Sequence, residues 1–175
     1  MAYQKLQSRE ALTVIPNDQV RIPDPSSIVV LDTATGATVG VASISSTTLI
    51  DVGTSFLSAG IQPGSIVYNT TANLAYTVVS VDSDTQLTIT GAIAAGATDT
   101  YSIYTRPTIG CTLFVGTAGD INVRMAAQNG NTTTAAAPAN QTVLYKNIAN
   151  GSFLPIQVVQ VKVTSTDATN IVAMW

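Results

Sequence analysis

The residues able to do chemistry in this chain are few. It has no histidine and a single cysteine, Cys111. Ser-His and Cys-His nucleophile pairs are therefore excluded, and so is a cysteine-built zinc site. The acids are Glu10 and nine aspartates. Two carboxylates can hydrolyse a glycosidic bond, one as acid and one as base or nucleophile. The nearest pair in sequence is Asp82 and Asp84, in VDSDTQLTI. Aspartate is favoured at such a turn because its side chain caps nearby backbone. The same DSD could open a calcium loop, but the rest of that loop, including its distal glutamate, is missing. Residues 113–126, LFVGTAGDINVRMA, raise a phosphate loop as a possibility. A dinucleotide loop needs G-x-G-x-x-G leading into a helix, and a P-loop ends in G-K-[ST]. Neither is present, and the residues after the turn alternate at period two. Gly116, Gly119 and Asp120 are therefore read as a structural hairpin turn between a strand ending at Val115 and one starting at Ile121. Its glycines would supply positive φ or close packing. Tyr68, Tyr76, Tyr101 and Tyr104 fall close together. They could stack on a glycan, or serve a core or an interface. Cys111 lies in a strand-like run and reads as a small buried hydrophobe. No catalytic, metal-binding or cofactor-binding residue is expected, and no cofactor.

The elements that must hold these residues are strands. Thr, Val and Ile make up 60 of the 175 residues, and β-branched side chains suit a pleated surface better than a helix. No segment sustains a 3.6-residue period. The expected fold is all-β: a β-sandwich or jelly-roll-like domain interrupted by an inserted small β-barrel or sandwich domain. Residues 1–27, with TVIPNDQVRIPDPSS, read as an extended arm with the first strands, because prolines disfavour helix. Tyr3, Leu6, Val14 and Ile15 are its candidate interface residues. Residues 28–106 read as the insert, with strands at Ile28–Leu31, 39–44, Thr48–Val52, Ser65–Asn69, 74–82, 86–90 and Asp99–Thr105, and a loop at GAIAAGA. Residues 107–175 read as the sandwich, completed by the N-terminal segment. There Cys111, Leu113 and Val115 share a face, QNGNTTTAAAPAN is a loop, and 155–164 is the longest strand. In that strand Val159, Val161 and Val163 oppose Gln160 and Lys162, while Ile156 and Val158 lie on the other phase. A bulge or a change of sheet partner is expected near Val158. Trp175 is expected in the core.

Charged residues are 10% of the chain and the net charge is −3, against roughly 25% charged in an average soluble domain. The seven basic residues are scattered, so no stripe exists to neutralise a nucleic-acid backbone. Apolar runs are under ten residues, too short to span a bilayer, and AYQKLQSRE carries no signal-peptide core. A weakly charged surface suits a permanent assembly.

The C-terminal part, LFVGTAGDINVRMA followed by VLYKNIANGSFLPIQVVQVKVTSTDATNIVAMW, resembles the spike-base proteins of tailed phages and gene transfer agents. Those carry a V-G-x-x-G-D turn, a P/N-x-G-x-[FL]-L-P-[IV] segment and a closing I-V-A-x-W. The matching residues are Val115, Gly116, Gly119 and Asp120; Gly151, Phe153, Leu154 and Pro155; and Ile171, Val172, Ala173 and Trp175. IPNDQVRIP is similar to the family's opening segment. The resemblance covers residues 12–26 and 107–175, and this chain departs from it by the stretch between, whose PGSIVYNTT and VDSDTQLTI are similar to small β modules of phage virion proteins. It implies a virion structural protein without enzyme activity: a head decoration, cement or spike-base component. Such a component forms a homo-oligomer, a trimer or pentamer, on the capsid surface. Its partners would be the major capsid protein or a spike or fibre protein, with no nucleic acid and no membrane. The alternatives are a host-glycan-binding adsorption module, to which the tyrosines point, and a neck or tail structural protein.

Overall fold

The computed structural model describes residues 8–31, 40–93, 99–128 and 141–175, with 40–46, 92, 93 and 128 described by their backbone alone. Among them the chain is all-β, with eleven strands and two single-turn 3-10 helices. It divides into two compact units. One joins Met1–Pro25 to Thr108–Trp175; the other is Ser26–Pro107. The expected turn at 32–38, the loop at 129–140, residues 94–97 of the small-residue loop, and Tyr3 and Leu6 lie outside the described residues.

The Ser26–Pro107 unit is a closed barrel. Its strands are β2 (Gly40–Ile50), β3 (Ile66–Asn69), β4 (Leu74–Ser83), β5 (Gln86–Ile93) and β6 (Asp99–Tyr104), in the order β2-β5-β4-β3-β6. The two short strands expected over 39–52 are one long strand, β2. It pairs β6 through Gly40–Ala42 and β5 through Ser46–Ile50, with a register shift between Ser46 and Thr48. That shift lets a single strand turn the barrel's corner. Leu87 and Ile89 point inward, as their alternation with threonine predicts, and join Leu49, Phe56, Val67, Val78 and Ile103 in the core. The expected strand at Ile28–Leu31 is only an isolated bridge, Ile28 to Tyr104. Its Val29 and Leu31 side chains nevertheless plug the barrel core.

The second unit is a six-stranded antiparallel sheet in the order β1-β11-β7-β10-β8-β9. Its strands are β1 (Ala11–Thr13), β7 (Cys111–Thr117), β8 (Gly119–Met125), β9 (Val143–Ile148), β10 (Ser152–Val161) and β11 (Thr169–Met174). Cys111, Leu113 and Val115 are buried on one face, with Ile121, Val123, Ile171 and Ala173 in the same core. β10 pairs β7 from Ser152 to Val158 and β8 from Val158 to Val161, shifting register on either side of Val158. Both the irregularity and the change of partner fall where the hydrophobic phase breaks. The bulge, however, moves the inward set to Val158 and Val161. Val163, expected inside, is exposed. Trp175 is half-buried against the core, its indole N–H donating to Thr108 Oγ1 at 2.9 Å.

Candidate functional site

The glycine stretch is a corner, and the hairpin expected there is not formed. One residue, Ala118, separates β7 from β8, yet the two strands are not hydrogen-bonded neighbours. Both edges of β7 are taken, one by β11 and one by β10, so β8 continues on the far side of β10. Both glycines serve close packing, and Gly119 also has a positive φ, +155°. A Cβ on Gly116 would lie 2.8 Å from Asn170 Cβ and 2.9 Å from its carbonyl oxygen, and one on Gly119 would lie 2.5 Å from the Ala168 nitrogen. Asp120 ties the corner to two turns. Its carbonyl accepts from Asp167 N and Ala168 N, and its Oδ1 accepts from Asn147 N at 2.8 Å. Asp167 Oδ1 accepts from Asp120 N in return.

The four tyrosines are inside the barrel unit. Tyr68, Tyr76, Tyr101 and Tyr104 are all at most 6% exposed, so none offers a ring face to a sugar. Tyr68 and Tyr104 meet edge to face, centroids 5.8 Å apart. The Tyr101 hydroxyl donates to Asp51 Oδ2 at 2.7 Å, and Asp51 Oδ1 accepts from Gly53 N at 2.8 Å. Burial and this aspartate push the Tyr101 phenol well above its ordinary range. Asp99 is likewise buried and accepts from Asn69 Nδ2 at 2.8 Å, while Asn69 Oδ1 caps Ala72 N. Asp82, at the β4–β5 turn, accepts from the Ser80 and Thr88 hydroxyls, which hold it below the usual carboxylate range. Asp84 accepts from Ser55 Oγ at 2.6 Å. These carboxylates are tied to turns and to neighbouring strands. Among the described residues no group of three His, Cys, Asp or Glu could hold a metal ion. The Cys111 thiol donates to Val158 O, and burial pushes it up to about 12, which leaves it protonated and unreactive at neutral pH.

The N-terminal arm folds onto its own unit. β1 adds an edge strand to β11. Beyond it, Val14 N, Asn17 N and Ile22 N donate to Ile171 O, Val161 O and Val159 O. Val14 and Ile15, candidate interface residues, are buried at 4% and 7% exposure, and Val14 belongs to the sheet's core. The arm covers the polar side of β8 and β10. Cross-strand partners Arg124 and Gln160 are 4% and 2% exposed, and Lys162 is 8% exposed. Gln160 Nε2 donates to Asn17 O at 3.0 Å and Lys162 Nζ donates to Asp18 O. Asp18 accepts from Val163 N, Thr164 N and Thr164 Oγ1 at 3.0, 3.1 and 2.7 Å. Burial works against its charge, but the Thr164 and Val163 bonds and nearby Lys162 hold it below the usual carboxylate range. The sequence signals only that Arg124, Gln160 and Lys162 share the polar phase of their strands. That the arm covers this face is a tertiary fact.

No helix of the structure, among the described residues, is long and apolar enough to cross a membrane. No protein-family model, curated protein or solved structure matches the chain.

Proposed function

We propose that this chain is a non-enzymatic structural protein of a tailed-phage particle, a head-decoration or spike-base component. It would oligomerise on the capsid surface and anchor or stabilise neighbouring proteins there. One observation carries the reading. The two stretches that resemble spike-base proteins, 12–26 and 107–175, fall in a single compact unit but for their boundary residues Ser26 and Pro107, and the stretch that departs from them is a separate closed barrel. A chance match of turns and strands has no reason to respect that boundary. The state of the reactive groups supports it further: the thiol is buried, and the aspartates described above act as turn and strand anchors. The glycan-adsorption reading loses its motivating residues, because all four tyrosines are interior.

The test has two arms. Native mass spectrometry of the purified chain is expected to give a closed oligomer, the usual outcome for a symmetric assembly. Particles reconstructed at low resolution are expected to show it on the head at a symmetry-related copy number. Density at the neck or tail would move the protein elsewhere on the particle. A strictly monomeric chain that is absent from purified particles overturns the reading.

A further inference from the structure

One side of the sheet is an apolar face that the chain leaves uncovered. Thr13 stands opposite Val172, Val172 opposite Phe114, and Phe114 opposite Phe153. Directly paired residues of antiparallel strands point to the same side, so these four form one row across β1, β11, β7 and β10. Ala11, Met174 and Thr112 form the next row on that side. The residues between the rows, Leu113, Ala173 and Leu154, point the other way and pack in the core. Phe153 is 48% exposed, and Phe114, Val172 and Met174 are half-buried. Neither row holds a charge. Polar groups on this side are spent within the sheet: Thr112 Oγ1 donates to Met174 O at 3.1 Å, and Asn170 Nδ2 donates to Thr117 Oγ1 at 2.8 Å. The open side of an antiparallel sheet is ordinarily polar. Contiguous apolar surface on the outside of a protein marks a contact with another molecule.

We propose that this face packs against the same face of a second copy of the chain, sheet on sheet. Two observations select that occupant. The two rows offer no charge, so they complement a surface of the same kind, and every other copy carries one. A partner recognised through charge would find nothing to pair with here. The pairing of β1 with β11 and of β11 with β7 runs without a register shift, so the surface is even enough for two such sheets to stack about 10 Å apart. The size of the face sets the strength of the contact. Four strands about 4.8 Å apart, and about 20 Å of length for the six residues of β11, outline about 400 Å². A standard stable interface takes about 800 Å² from each partner. Two copies therefore pair reversibly through this face, and the contact becomes firm where other contacts already hold copies together. The inference rests on the assembly reading and deepens it by naming the surface that joins the copies.

The test uses the full chain. Sedimentation velocity over a concentration series is expected to show reversible self-association of the wild type. Phe153→Arg puts a charge on the face at an exposed position. It is expected to raise the dissociation constant at least about tenfold, because association would bury that charge unpaired. Thr13→Lys does the same from the opposite end of the row, also at an exposed position, and decides the matter if Phe153→Arg fails to fold. Val79→Arg, at a position 52% exposed on barrel strand β4, is expected to leave association unchanged. Self-association that survives both face variants overturns this inference and leaves the assembly reading standing. A chain that is monomeric at every concentration yet present on purified particles has the same effect, since the face is then not joined to a second copy. A loss from Val79→Arg equal to that from the face variants also overturns the inference.

Discussion

Gly119 and Gly151 separate crowding from backbone conformation, because both have positive φ and only Gly119 is crowded. Gly119 is walled in by backbone: an added methyl would lie 2.5 Å from Ala168 N and 2.7 Å from its Cα. Gly151 has φ of +70° and nothing within 4 Å. Gly119→Ala is expected to cost about 3 kcal/mol, the upper end of overpacking, because the Ala168 backbone cannot yield. Gly151→Ala is expected to cost about 1 kcal/mol, the price of left-handed backbone alone. Urea midpoints at unchanged m-value read both, and equal costs would refute the packing account. The barrel tyrosines give a second contrast. Tyr101→Phe deprives buried Asp51 of a 2.7 Å donor and is expected to destabilise by about 1.5–3 kcal/mol. The Tyr76 hydroxyl is buried with no partner, so Tyr76→Phe is expected to be neutral or to stabilise by up to about 1 kcal/mol. A large loss from Tyr76→Phe would mean that its hydroxyl has a partner after all.

At the scale of elements, the arm is latched by Asp18, which joins it to the chain just beyond β10. Asp18→Asn is expected to cost about 1–2 kcal/mol, since it weakens bonds to a charged acceptor, and to speed proteolysis within residues 14–22. The pH dependence has a definite sign. Asp18 is held below its ordinary value of 3.8 in the folded chain. Its contribution is therefore fully present above that value and is lost as pH falls through the lower, folded one. The gap in melting temperature between wild type and Asp18→Asn should be constant near pH 6 and close below the ordinary carboxylate range. A gap that does not narrow at all as pH falls below 3.8 would mean the charge is not what holds the arm. Strand positions were legible wherever alternation was clean, as at Leu87 and Ile89 or at Cys111, Leu113 and Val115. The phase break at Val158 even marked where β10 changes partner. Pairing was not legible. GTAGD reads locally as a hairpin, because nothing local shows that β10 and β11 already occupy both edges of β7. Gln160 and Lys162 read as an ordinary polar phase for the same reason: their partners Asn17 and Asp18 lie on the arm, more than a hundred residues away in sequence.

At the scale of the whole molecule, the insert is a unit that could be added or removed without breaking the sheet. The incoming and outgoing chains meet: Thr105 N donates to Ser27 O at 3.0 Å and Val29 N to Ile103 O at 2.8 Å. On the sheet side, Thr108 N donates to Ile22 O at 2.9 Å, so the ends to be rejoined are already adjacent. The barrel closes on itself, which removes the open strand edges that make a lone sheet fragment aggregate. It also has its own core around Leu49, Phe56 and Tyr101. Residues 26–107 alone are therefore expected to fold, with a single cooperative thermal transition and dispersed amide resonances. A chain in which Pro25 is joined to Thr108 by a short Gly-Ser linker is expected to keep the sheet unit folded, with Trp175 in its native fluorescence environment. If the shortened chain unfolds while the isolated barrel folds, the barrel is a required scaffold for the sheet. The departure from the spike-base pattern would then be part of the fold itself and not an addition to it.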